Sequence, residues 1–156
     1  EFEIASFLKD IPQESISENT RESVNSMYKI INEMESLGDS GEAISRILTR
    51  RNKHEKSFSA ENIRSIDALL DLVDKAYIVM IENLKSDSMG MIGLKKAVDC
   101  EIQINELRNL LREEEINNME KDGTHYLSSV YYMDVISEIE RMGDFIINIS
   151  QALEKK

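Results

Sequence analysis

Tryptophan is missing from this 156-residue sequence, proline and cysteine occur once each, and only 6% of residues are aromatic. An aliphatic, methionine-bearing composition of this kind suits helix packing more than a sandwich or barrel. The lone Cys100 excludes an internal disulfide and fits a reducing compartment. Basic residues are also scarce: 19 Lys and Arg against 30 Asp and Glu leave a net charge of −11. Nucleic acid and anionic lipid both need a basic face, so neither is expected as a main partner. The acidic surplus is compatible with cation binding. No run approaches the ~18 uncharged apolar residues of a membrane-crossing helix, so no direct membrane insertion is expected. The chain opens on Glu1-Phe2-Glu3-Ile4, with neither an initiator Met nor a signal peptide, and reads as a piece of something longer.

What is present is an internal repeat. Residues 33 to 48 read EMESLGDSGEAISRIL and residues 138 to 153 read EIERMGDFIINISQAL, an offset of 105 (138 − 33). Seven of the sixteen positions are identical: Glu33/Glu138, Glu35/Glu140, Gly38/Gly143, Asp39/Asp144, Ile44/Ile149, Ser45/Ser150 and Leu48/Leu153. Unrelated helices would share roughly one, so two related helical units are implied.

Apolar spacing places helices along the whole chain and strands nowhere. A first segment to about Ile11 ends at Pro12, and Ser15 with Glu18 matches a capping box. A long helix is expected over about 16–52, with a stripe through Val24, Met27, Ile31, Met34 and Leu48, widened by Ile30, Leu37 and Ile44. Gly38, Gly41 and Ser45 continue that stripe and predict a close helix–helix seam. The polar stretch from Arg50 to Ser59 reads as a connector, with Ser59 as N-cap of the next helix and Glu61 in its first turn. Lys85-Ser86-Asp87-Ser88 breaks that helix, a further helix covers about 89–121, and Asp122-Gly123-Thr124 separates it from a last one over about 126–153. The expected fold is all-α: antiparallel helical bundles, a partial first repeat over 1–56 and a complete three-helix repeat over 57–156. The first repeat should therefore show an apolar face that a missing segment or a partner molecule, such as a second copy, would cover.

The repeated acids carry the candidate chemistry. Residues four apart on a helix share a face, so Glu35 projects with Asp39 and Glu140 with Asp144. Helical phase puts both pairs away from the apolar stripe, towards solvent or a shallow surface, with Asn148 one turn further on and Gly143 on the packing side. Two carboxylates one turn apart make half a cation site, and a neighbouring helix must supply more oxygens. Glu101 and Asn105 are the candidates, with Glu106 and Asp99 weaker. The plain alternative is solvated surface charge, which is also the reading of Glu113-Glu114-Glu115. Arg141 either orients Glu140 or another acid or forms a surface ion pair. Cys100 reads as an inert thiol, His54 as solvated and His125 as structural.

At these residues the chain resembles a known family. E-x-x-G-D followed by Ile, and in the second copy E-R-x-G-D-x-x-x-N-I, are similar to the PhoU domain, a helical repeat of bacterial phosphate regulation built as two three-helix bundles. Tyr132-Met133-Asp134-Val135-Ile136, and Glu101 through Arg108 with Leu111-Arg112, resemble the family's approach to its second motif. The first copy departs from the pattern, with Ala43 where Asn is usual and Ser36 where Arg is usual. The resemblance implies a cytoplasmic PhoU-like regulatory domain of a sodium/phosphate cotransporter, on the cytoplasmic side of the inner membrane, whose partner is the transporter's own membrane region. A free-standing regulator of phosphate ABC transport and signalling is the alternative. The resemblance also implies iron, zinc or other divalent cations at Glu140, Asp144 and Asn148, with Glu35 and Asp39 in a second site.

Two readings of other classes compete. A ferritin-like metalloenzyme would place Glu-x-x-His pairs inside the bundle; the pairs here are E-x-x-x-D without His, which argues against an enzyme. A structural helical adaptor without metal is the other.

Overall fold

Side-chain caps set the helix ends. Ser17, not Ser15, is the N-cap of the long helix: its hydroxyl accepts from the Thr20 N–H at 3.2 Å, while Glu18 pairs with Arg21. Ser59 caps the next helix as expected, in a reciprocal box with Asn62: the Asn62 N–H reaches the Ser59 hydroxyl at 3.0 Å and the Ser59 N–H reaches Asn62 Oδ1 at 3.2 Å. A computed structural model describes residues 2–9, 17–86, 91–121 and 126–154, and all regular structure among them is helical. The elements are α1 (Phe2–Lys9), α2 (Glu18–Lys53), α3 (Ala60–Lys85), α4 (Met91–Lys121) and α5 (Tyr126–Glu154). Pro12, Ser15, the Asp122-Gly123-Thr124 break and His125 lie outside the described residues.

Arg50 to Lys53 form the last turn of α2 rather than a connector. The helix closes with the Lys56 N–H on the Arg51 carbonyl at 3.2 Å and the Glu55 N–H on that of Asn52 at 3.0 Å. This double closure needs a left-handed residue, and Glu55 supplies it at φ 53°.

Helix α5 is the centre of the bundle. It packs against α2, α3 and α4; α3 also packs against α4, and α1 touches α2. Its Ile136, Ile139, Ile146 and Ile149 are fully or almost fully buried, at helical spacing. They meet Leu69, Val73 and Met80 of α3 and Ile104 and Leu111 of α4. Each such side chain contributes about 1.5–3 kcal/mol by leaving water. Gly143 is part of the seam with α4: a Cβ there would stand 2.9 Å from Ile104 Cδ1.

Helix α2 lies antiparallel to α5, so the two copies of the repeated segment face each other. The Asn148 amide donates to Glu33 Oε2 at 3.1 Å, and the Ser40 hydroxyl donates to Glu138 Oε2 at 3.2 Å. Passing from Glu33 to Ser40 along α2, the partners run backwards from Asn148 to Glu138 along α5. Glu33 and Glu138 are equivalent positions of the repeat, and each accepts from the opposite helix. The donors, Asn148 and Ser40, are not equivalent positions, so the two copies share the acceptor and the antiparallel packing but not the full contact.

Helix α2 buries one flank of the stripe its periodicity suggests and leaves the small-residue seam open. Ile30, Leu37, Ile44, Ile47 and Leu48 pack on the core, and Ser40 is buried. Gly38, Gly41 and Ser45 are exposed, and Met27 and Met34 are 40% and 43% exposed. The small residues therefore make no tight seam here. Their equivalents on α5 are buried because α3 and α4 cover that helix; among the described residues α2 touches only α1 and α5. Added side chains at Gly38 or Gly41 would meet nothing within 4 Å. We expect Gly38→Ala and Gly41→Ala each to stabilise by about 0.5–1 kcal/mol through helix propensity. Gly143→Val should destabilise by about 1–3 kcal/mol through overpacking against Ile104. Urea midpoints of the three variants check this contrast.

Candidate functional site

The seam between α4 and α5 brings together Glu101, Asn105, Glu140 and Asp144, and adds a residue the pattern of acids does not mark, Arg108. Its Nη2 donates to Glu140 Oε1, and the two side chains are only 23% and 14% exposed. The Asn105 amide donates to Glu101 Oε1 at 3.3 Å, while Asn105 Oδ1 is buried with no hydrogen-bond partner. A signal for Arg108 is in the spacing: positions 101, 105 and 108 stand four and then three apart, on one face of α4.

Glu140 and Asp144 are thus half-buried against α4 rather than turned to solvent. Gly143 and the two acids lie on the same seam, not on opposite sides, since Gly143 meets Ile104 while Glu140 meets Arg108. The reason is that α4 packs over this face of α5; the open face of that helix carries Asp134 and Arg141 instead.

Charge within the seam is unevenly balanced. Burial first, then the neighbouring Glu140 and Glu101 carboxylates, push the Asp144 carboxyl above the ordinary aspartate range; Arg108 and Arg141 pull it down by less. Arg141 itself is 57% exposed and pairs with Glu138 at 2.9 Å, as a surface ion pair. Asn148, expected beside Asp144, donates its amide across to Glu33 instead. Glu35 and Asp39 are exposed on α2, and Asp99 and Glu106 are exposed on α4. Among the described residues, no three of His, Cys, Asp and Glu converge closely enough to hold a metal ion as the side chains stand.

The remaining singled-out residues stay outside this seam. Cys100 is half-buried, and burial ahead of the Asp99 charge pushes its thiol up, away from reactive thiolate. His54 is exposed, with its ring centroid 6.2 Å from that of Tyr131. Glu113 and Glu114 are solvated as expected, but Glu115 is buried. No family model, curated protein or solved structure matches this chain.

The raised Asp144 carboxyl has a pH consequence. The folded protein holds that proton more tightly than the unfolded chain, so stability falls as pH rises from the ordinary value of 3.8 through the raised folded value. The penalty persists at neutral pH. Asp144→Asn should remove this slope, so its urea midpoint relative to the wild type rises between pH 3 and pH 7. Arg108→Met should destabilise by about 1–3 kcal/mol, because it strands a half-buried carboxylate, and should push Asp144 still higher in an NMR titration.

Proposed function

We propose that this chain is a PhoU-like regulatory domain acting on the cytoplasmic side of a sodium-dependent phosphate cotransporter, with the transporter's membrane region as its partner. The observation that carries the reading is the duplicated E-x-x-x-D helix, whose two copies pack antiparallel with Glu33 and Glu138 in equivalent roles. Among the described residues no helix is long and apolar enough to cross a membrane.

A divalent cation fits the α4–α5 seam in part. Asn105 Oδ1 is an orphaned buried oxygen, and Asp144 lacks a counter-charge of its own beside Glu101. The donors are all oxygen, which suits a hard ion such as Mg²⁺ or Mn²⁺, or iron, more than zinc with its preference for nitrogen and sulfur. Such an ion would supply positive charge among three carboxylates. Arg108 already supplies some, through Glu140. Ion binding and the Arg108–Glu140 pair are therefore alternative ways to balance the same acids. Exchange between them would alter how α4 is held on α5, and so the surface offered to the transporter.

The Arg108–Glu140 pair equally favours a second reading, a structural adaptor that needs no metal. Elemental analysis after growth in metal-replete medium separates the two. The regulatory reading expects bound divalent metal in the wild type, lost in Glu140→Ala/Asp144→Ala and retained in Glu35→Ala/Asp39→Ala. Absence of metal from the wild type, or stoichiometry unchanged by Glu140→Ala/Asp144→Ala, refutes the α4–α5 site.

A further inference from the structure

At one end of the bundle, the α2–α3 connector, the start of α3, the later turns of α4 and the start of α5 enclose a cleft of about 590 Å³. Glu115 lines it and is only 9% exposed. A carboxylate withdrawn from water is ordinarily paired with a cation. Glu115 has instead the Asn62 amide, whose Nδ2 donates to Oε2 at 3.1 Å. Among the described residues no Lys, Arg or His pairs with it. Three further carboxylates, Glu55, Glu61 and Glu114, line the cleft from exposed positions; among the described lining residues Lys56 is the one cation, with the Arg51 guanidinium beside the Phe58 ring. The missing counter-charge of this cleft is positive.

Its size and walls narrow the class. A bare metal ion needs several converging oxygens, and among the described residues no three acids converge in that way. The volume is that of a small-molecule site. Phe58, Leu111 and Tyr132 are buried where they line it, and Met119 is partly buried. The Phe58 ring already carries the Arg51 guanidinium 4.4 Å from its centroid, so this ring is in use as a cation–π surface. An occupant therefore combines positive charge with an aliphatic body.

We propose that this cleft binds a linear aliphatic diamine or polyamine. One ammonium group pairs with the Glu115 carboxylate beside the Asn62 amide. The methylene chain lies on Phe58 and Leu111. A second ammonium meets the exposed carboxylates at the mouth. This inference does not rest on the cation reading of the α4–α5 seam, and Asp144→Asn should leave it intact.

Isothermal titration of the chain with putrescine and spermidine tests it, with butylamine and magnesium chloride as comparisons at matched ionic strength. Both polyvalent amines should bind more tightly than butylamine, and magnesium should not displace them. Glu115→Gln keeps an acceptor for Asn62 and removes the charge; it should weaken spermidine binding by about tenfold or more. Glu61→Gln/Glu114→Gln alters exposed residues only, so it should keep the wild-type melting temperature while weakening binding by about threefold. That double variant decides the matter if Glu115→Gln does not fold. The proposal is overturned if neither amine binds, if magnesium displaces spermidine at equal ionic strength, or if affinity is unchanged in the variants that fold.

Discussion

The enclosure of α5 by α2, α3 and α4 is the constraint on which the rest of this structure depends. A helix covered on three sides has apolar surface to bury on each, and α5 meets that demand with isoleucines and with Gly143 where α4 comes closest. Its acids then have to be balanced where they stand. Glu138 takes Arg141 and the Ser40 hydroxyl, and Glu140 takes Arg108. Asp144 is left beside two other carboxylates, with its proton held more tightly than usual. The chemistry of the seam is thus a by-product of how tightly α5 is enclosed.

The same motif on α2 shows the converse. Glu35, Gly38 and Asp39 repeat Glu140, Gly143 and Asp144, yet all three are exposed. Identical residues acquire different electrostatics because only one copy has helices packed over that face. The antiparallel packing sets the two segments against each other without making their surroundings equal. Glu35 and Asp39 on α2 stand in solvent, whereas Asp144 on α5 is half-buried beside Glu140 and Glu101.

Much of the architecture is readable from the residues alone. Helical periodicity, the Ser59 cap and the duplicated segment locate all the long helices to within a few residues, because caps and apolar spacing are local properties. Which face α2 buries is not local. The stripe through Met34 and Gly41 is wide enough to include Leu37 and Ile44, and the partner helix takes that flank with Ser40 rather than the centre. The meeting of Glu101, Asn105, Glu140 and Asp144 could be foreseen from paired spacing on consecutive helices. Arg108 is not marked by the pattern of acids, because it balances the carboxylates rather than joining them. Within the run Glu113-Glu114-Glu115 nothing local marks the one that turns inward.

The central claim is that the two copies of the repeat pack antiparallel through the Ser40–Glu138 face, with the α2 glycine face left open. Cysteine pairs in a Cys100→Ser background, treated with a short bismaleimide, test it directly. The account predicts efficient intramolecular cross-linking of Ser40→Cys with Glu138→Cys, and none of Gly38→Cys with Gly143→Cys. Cross-linking of the glycine pair, with the first pair unlinked, would contradict it.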